Sequence, residues 1–141
     1  MRIAAIDQGT TSTRVLVLGS NGRLDPILSL QHSQDYPAPG HVEQDGEELL
    51  ANVRRCLDAA SPDVVGLANQ GESCLAWDRR DGRPLSPVIS WQDDRTGDVT
   101  AALARDGAGP LVMARAGLPL DPYFSASKLG WIMRHVPGAA D

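Results

Sequence analysis

The fold is decided by Asp7-Gln8-Gly9-Thr10-Thr11-Ser12-Thr13-Arg14, which lies between the apolar runs Ile3-Ala4-Ala5-Ile6 and Val15-Leu16-Val17-Leu18. Two short β-prone runs on either side of a polar, glycine-containing turn predict a β-hairpin. The turn combines a carboxylate, a glycine that lets the backbone approach a ligand, hydroxyl groups that donate to phosphate oxygens, and an arginine. This combination indicates a phosphate and metal site, although the same residue types also build ordinary polar turns.

This turn differs from the two most familiar nucleotide-binding loops. No Gly-Lys-Ser/Thr sequence follows it, so it is not a P-loop. Only Gly9 is available, and a strand rather than a helix follows, so it is not the dinucleotide-binding fingerprint either.

The hairpin is followed by patterns that extend a sheet and then cross over it. Asn21-Gly22 is a turn signal, and Ile27-Leu28-Ser29-Leu30 predicts a third strand that continues an antiparallel meander. An apolar stripe predicts a helix that is capped at Asp45 and ends near Ala60. The run Val64-Val65-Gly66-Leu67-Ala68 is typical of a buried strand after a crossover helix.

The second half of the chain shows a turn and three helical patterns. Arg80-Asp81-Gly82-Arg83 is a hairpin turn between two apolar segments. Apolar periodicity predicts helices around residues 98–105, around residues 110–116 and over residues 125–136.

Length and charge restrict the class of protein. At 141 residues the chain has the size of one modest domain. A net charge of -5 gives no basic footprint, so we expect no nucleic-acid partner. Asp7 interrupts the apolar start, so no signal peptide is predicted, and no run approaches the length of a membrane span. Cys56 and Cys74 lack metal-binding spacing and suit a reducing compartment, so we expect a cytoplasmic protein without a membrane partner.

Four further motifs follow the hairpin turn in order along the chain. They read Tyr36-Pro37-Ala38-Pro39-Gly40-His41-Val42-Glu43-Gln44-Asp45, Asn69-Gln70-Gly71-Glu72-Ser73, Ile89-Ser90-Trp91-Gln92-Asp93-Asp94-Arg95-Thr96 and Gly117-Leu118-Pro119-Leu120-Asp121-Pro122-Tyr123-Phe124-Ser125. Together with the turn, they resemble the motifs of the FGGY carbohydrate kinases, and within that family the glycerol kinase branch. The resemblance spans nearly the whole chain.

The resemblance implies a mixed α/β, ribonuclease-H-like (actin-like ATPase) fold whose first three strands are antiparallel. It implies that residues 1–141 are the N-terminal part of the first domain of a longer two-domain enzyme. The final Pro137-Gly138-Ala139-Ala140-Asp141 follows a helical pattern without a closing strand. We interpret this end as a cut within a longer chain and not as a natural terminus. The implied activity is ATP- and Mg²⁺-dependent phosphorylation of a polyol or sugar hydroxyl, and self-association into a homo-oligomer stays open.

The resemblance also implies roles for particular residues. Asp7 would bind the metal ion, and the nucleotide phosphates would be held by Thr10, Thr11, Ser12 and Arg14. The acceptor would be bound by Gly71, Glu72, Trp91 and Tyr123. The general base and the adenine pocket belong to a later segment of the family, so no catalytic residue is assigned here and the chain alone should be inactive.

Gly71 departs from the glycerol kinase pattern, which has an arginine before the glutamate. Loss of that charge-assisted donor favours an alternative substrate, namely a pentose, a ketose or a longer polyol. Arg95 is a candidate to replace the missing guanidinium, although an Asp93–Arg95 pair is as often a surface salt bridge. Trp91 also fits an ordinary core position. A non-catalytic nucleotide or sugar sensor on the same fold is a third alternative.

Overall fold

The computed structural model describes residues 1–140. In chain order, the elements are β1 (Ile3–Gln8), β2 (Ser12–Leu18), β3 (Leu24–Gln31), β4 (Glu43–Gln44), α1 (Gly46–Ala60), β5 (Val64–Asn69), β6 (Val88–Ile89), α2 (Gly97–Arg105), α3 (Gly109–Ala116) and α4 (Ser125–His135). The chain divides into one unit of Met1–Gln34 with Gln44–Gly71, and a second unit of Asp35–Glu43 with the residues from Glu72 onward.

A four-stranded sheet in the order β3-β2-β1-β5 organises the first unit. β1 and β2 are antiparallel, β2 and β3 are antiparallel, and β1 and β5 are parallel. The predicted hairpin, the third strand and the crossover to a parallel strand are therefore confirmed. The parallel pair needs a connection that crosses over the sheet, and α1 provides it.

The core of the first unit lies between α1 and the sheet. Buried side chains of β1 and β2, such as Ile6 and Val15, pack with Cys56 and Ala60 of α1. The helix begins where the Asp45 carboxylate accepts a hydrogen bond from the Glu47 N–H at 2.8 Å. It ends at Ser61, whose left-handed backbone, with φ of 41°, precedes Pro62. The predicted helix to Ala60 is confirmed.

β5 differs from the prediction of a buried strand. All six of its residues are exposed, with Leu67 at 60% and Val64 at 50% of full accessibility. The strand occupies the edge of the sheet, and within residues 1–140 no further strand pairs with its outer side. The apolar sequence of β5 is typical of a strand that is buried on both faces. Among the described residues, however, none packs over β5 closely enough to bury it.

The second unit combines short β pairings with three helices. Isolated bridges join Cys74 with Ile89 and Trp77 with Pro84, and β6 pairs with β4, whose residue Glu43 belongs to this unit. The predicted hairpin around Arg80-Asp81-Gly82-Arg83 is thus present as separate bridges, since the prolines at 84 and 87 lack the N–H group that a continuous ladder needs. The three predicted helices are confirmed as α2, α3 and α4.

The longest helix in the described part of the chain is α1, with 15 residues. None of the helices described for residues 1–140 has both the length and the apolar character required to cross a membrane.

Candidate functional site

The candidate phosphate loop is the turn between β1 and β2 in the first unit. The Gly9 N–H donates to the Ser12 carbonyl at 2.9 Å, which closes the turn. A Cβ atom at Gly9 would lie 3.4 Å from that carbonyl oxygen, at van der Waals contact. The hydroxyl-bearing residues Thr10 and Ser12 are half-buried and Thr11 is exposed. All three are therefore accessible to a ligand at the end of the sheet.

Two polar side chains hold the backbone of this loop. The Thr10 carbonyl accepts hydrogen bonds from Nε2 of His32 at 2.9 Å and Nε2 of Gln44 at 2.6 Å. Gln44 is itself buried, and its Oε1 accepts from Nε2 of Gln70 at 2.7 Å. These contacts were not predicted from the sequence: His32 lies outside the quoted motifs, and the motif that contains Gln44 does not indicate a main-chain partner 34 positions away. They restrict the loop conformation before a ligand arrives.

Asp7 and Arg14 face each other across β1 and β2. They are paired residues in the strand register, and Arg14 Nη2 lies 2.8 Å from Asp7 Oδ2. Both side chains stay about half exposed, at 46% for Asp7 and 56% for Arg14, so solvent screens the pair. A phosphate could compete for the guanidinium while a metal ion takes the carboxylate.

The fit of Mg²⁺ to this site depends on a single carboxylate. No group of three or more His, Cys, Asp or Glu side chains within residues 1–140 could hold a metal ion. Mg²⁺ commonly keeps several water ligands and binds through one or two carboxylates together with phosphate oxygens. Asp7 fits that mode of binding, in which a nucleotide and water would supply the remaining ligands.

Glu72 occupies an unusual position in the second unit. Its φ angle of 65° lies in the left-handed region, which few residues other than glycine adopt. Its Oε2 accepts hydrogen bonds from the Ser125 N–H at 2.7 Å and the Ser125 hydroxyl at 2.5 Å. These bonds, the hydroxyl bond first, hold the pKa of Glu72 below its usual value. Glu72 therefore caps the start of α4 as a carboxylate.

Trp91 and Tyr123 form an aromatic pair in the same unit. Their ring centroids are 5.8 Å apart at an interplanar angle of 68°, an edge-to-face arrangement. Trp91 is half-buried, and Tyr123 is 41% exposed. The main-chain N–H of Trp91 donates to the Ser73 hydroxyl at 3.0 Å. The pair thus offers an accessible aromatic surface rather than a fully buried core contact.

Gly71, which precedes Glu72 in the chain, has open space at the position that a Cβ atom would occupy. A Cβ atom added to Gly71 would meet no other atom of the described residues within 4 Å. No conformational constraint explains a glycine here, since Gly71 does not have a positive φ angle.

Arg95 does not replace the arginine that the glycerol kinase pattern has at the position of Gly71. Its side chain is 3% exposed, and it bonds both oxygens of Asp93 at 2.8 Å and Oε1 of Glu43 at 2.7 Å. It also lies 4.7 Å above the Trp131 ring. Burial alone would lower the pKa of Arg95, but the hydrogen bonds that Arg95 donates to the carboxylates of Asp93 and Glu43 raise it. The Asp93–Arg95 pair is a buried structural element and not a surface salt bridge.

Residues 2–141 match the profile of the N-terminal domain of the FGGY family of carbohydrate kinases. The chain belongs to the FGGY family of carbohydrate kinases. The glycerol kinase of Rhodospirillum centenum is 45% identical over 146 residues, which cover 97% of this chain and 29% of that protein. The chain therefore spans under a third of the length of this relative.

Solved structures share the fold. The Plasmodium falciparum glycerol kinase crystallised with ADP superposes with a TM-score of 0.87 and 28% identity, over 99% of this chain and 30% of that chain. The xylulose kinase of Rhodospirillum rubrum superposes with a TM-score of 0.84 and 26% identity, over 99% of this chain and 31% of that chain. These similarities confirm the predicted mixed α/β fold of the actin-like ATPase class.

Proposed function

We propose that this chain is the N-terminal part of the first domain of a longer cytoplasmic kinase. The kinase transfers the γ-phosphoryl group of ATP, with Mg²⁺, to a hydroxyl group of a polyol or sugar. The observation that carries the proposal is the turn at Asp7 to Arg14, where a carboxylate, accessible hydroxyls and a guanidinium meet at the end of a sheet. Family membership supports the same reaction class.

The phosphate loop supplies charge neutralisation and positioning. Arg14 and the donor groups of Thr10, Thr11 and Ser12 would bind the nucleotide phosphates, and Asp7 would hold the hydrated metal ion. Mg²⁺, when bound, neutralises the charge that develops on the phosphoryl oxygens. The anchoring of Thr10 by His32 and Gln44 means that the loop needs little reorganisation on binding.

The acceptor would be held by residues of the second unit. Trp91 and Tyr123 offer an apolar surface for the C–H side of a polyol, and the Tyr123 phenol can hydrogen-bond a hydroxyl. Glu72 stays ionised because Ser125 binds its Oε2, so it can accept a further hydrogen bond from an acceptor hydroxyl.

The reaction needs one group that residues 1–141 do not provide. The acceptor oxygen attacks the γ-phosphorus while the bond to the β,γ-bridging oxygen breaks, and ADP leaves. The hydroxyl proton passes to a general base, which the family resemblance assigns to a later segment. We therefore assign no catalytic base to this chain.

A second substrate class is favoured by Gly71. Since a Cβ atom there would meet nothing within 4 Å among the described residues, an acceptor longer than glycerol would have room next to Gly71. A pentose, a ketose or a longer polyol would use this room to make additional contacts.

The test is acceptor-dependent ADP formation by the full-length protein with a panel of three- to six-carbon polyols and sugars. We expect turnover with at least one of them, and none when Mg²⁺ is chelated. Tight nucleotide or sugar binding without turnover on the whole panel would contradict a kinase and support a sensor.

A further inference from the structure

Lys128 lies on α4, three residues after Ser125, and its side chain is completely buried. Its ammonium group donates hydrogen bonds to the carbonyl oxygens of Pro122 at 2.9 Å and Tyr123 at 2.5 Å. Within residues 1–140, no carboxylate forms an ion pair with it. Lys128 therefore binds main-chain carbonyls and is not one half of a buried salt bridge.

The amino-acid choice at this position is distinctive. Lys128 is the only lysine among the 13 basic residues of the sequence, and the rest are arginines. An ammonium group is compact and directs three donors, whereas a guanidinium is planar and wider and has five donors to satisfy. Burial of a charge is costly, so Lys128 is a poor source of net stability. Its hydrogen bonds instead fix the main-chain conformation at Pro122 and Tyr123.

The segment that Lys128 holds carries one of the candidate acceptor residues. The Tyr123 ring stands edge-to-face against Trp91 at 5.8 Å and against Phe124 at 5.0 Å. On the preceding turn of the same helix, Ser125 binds the Glu72 carboxylate. The first turns of α4 therefore hold both the Glu72 carboxylate, through Ser125, and the main chain of Tyr123, through Lys128.

We propose that Lys128 is a positioning residue for the acceptor site: it holds the main chain at Pro122 and Tyr123 so that the Tyr123 ring is presented beside Trp91. This inference rests on the proposed function, since it assigns Tyr123 to the acceptor. Lys128 itself, being fully buried, does not touch the acceptor.

The inference predicts non-additive effects of Lys128 and Tyr123 on acceptor binding. In the full-length enzyme, Lys128→Met removes the ammonium at similar volume, and Tyr123→Ala removes the ring that it positions. We expect each variant to raise the acceptor KM about tenfold, with the KM for ATP within about twofold of wild type. Because both substitutions remove the same contact, that of the Tyr123 ring with the acceptor, their effects should not add. The double variant should therefore also raise the acceptor KM about tenfold and not about a hundredfold.

Two further variants separate positioning from general destabilisation. Ile132→Ala truncates a buried side chain one turn further along α4, and should lower the melting temperature while the acceptor KM stays within about twofold. If Lys128→Met does not fold, Lys128→Gln, which keeps an N–H donor, takes its place in the comparison of the single and double variants. Each variant is first shown to unfold cooperatively.

The outcomes divide as follows. A double variant close to either single variant supports the inference. Additive effects on KM, or an Ile132→Ala variant whose acceptor KM rises as much as that of Lys128→Met, would overturn it and leave Lys128 a structural residue. A wild-type enzyme without acceptor-dependent ADP formation would overturn the proposed function, and this inference with it.

Discussion

Glu72 and Ser125 are joined by two hydrogen bonds to one oxygen: Oε2 of Glu72 accepts from the Ser125 N–H at 2.7 Å and from its hydroxyl at 2.5 Å. The two residues are 53 positions apart in the sequence. Since the N-cap residue Phe124 has no side-chain oxygen to offer, Glu72 satisfies an N–H group at the start of α4 that would otherwise lack a partner.

This contact predicts a pH-dependent contribution to stability. Ser125 lowers the pKa of Glu72 in the folded state below its usual 4.5, so the contribution is present above pH 4.5 and is lost as the pH falls through the lowered pKa. The melting temperature of Glu72→Gln should therefore lie below that of wild type near neutral pH, and the difference should shrink in acid. Thermal melts between about pH 3 and pH 7 measure this. Glu47→Gln, at an exposed position on α1, is the control, and a Glu72→Gln difference that is constant over this range would contradict the assignment.

The buried pair of Asp93 and Arg95 predicts a large loss of stability. Asp93→Asn removes one of the two carboxylates that neutralise Arg95, whose side chain is 3% exposed. Breaking a buried pair costs about 3 kcal/mol, because a buried charge loses its partner. Urea unfolding should show this loss, while Asp81→Asn, in the exposed pair with Arg83, should cost under about 1 kcal/mol. Equal small effects of both substitutions would show that Arg95 tolerates the loss.

Residues 1–141 by themselves should associate and should not turn over. The exposed edge strand β5 presents unpaired backbone groups with apolar side chains, including Leu67. Sedimentation should show self-association that Leu67→Lys reduces, since a charge on an edge strand opposes pairing. A monomeric preparation with sustained, metal-dependent ADP release in the presence of a polyol would contradict both parts of this prediction.

Gly71 predicts the direction of substrate preference. Without the arginine of the glycerol kinase pattern, the site should lose a charge-assisted hydrogen bond, which is about 1.5–3 kcal/mol or roughly ten- to a hundredfold in affinity for a small triol. We expect a higher kcat/KM for at least one four- or five-carbon polyol or ketose than for glycerol. Gly71→Arg should shift the preference back, because it restores the guanidinium at a position where a Cβ atom meets nothing within 4 Å. The idea fails if glycerol is clearly preferred and Gly71→Arg loses activity on every substrate.

The sequence predicts most of the architecture because local patterns determine it. The apolar runs around the Asp7 to Arg14 turn, the stripe of α1 and the glycine and proline positions place the elements correctly. The exposure of β5 could not be predicted, since an apolar run indicates a preference for burial and does not say which part of a chain covers it. The roles of the predicted site residues stay predictions.

The site contacts that the sequence did not indicate are long-range and polar. His32 and Gln44 bind the Thr10 carbonyl, and Lys128 binds the carbonyls of Pro122 and Tyr123. His32 and Lys128 lie outside the quoted motifs and Gln44 lies inside one, but no motif indicates these contacts, because their partners are main-chain atoms and carry no residue identity. For Lys128, the sequence offers one signal, namely that it is the single lysine among 13 basic residues.

The phosphate loop is tested most directly by Mg-ATP turnover of full-length Asp7→Ala and Arg14→Ala, with Arg23→Ala as a matched exposed arginine outside the loop. Loss of a preorganised charge at a transferring phosphoryl group costs about a hundredfold or more in kcat, so both loop variants should fall by at least that factor while Arg23→Ala stays near wild type. If both loop variants keep activity within about twofold of wild type, under about 0.4 kcal/mol of barrier, Asp7 and Arg14 do not bind the metal and nucleotide phosphates, and the central claim is contradicted.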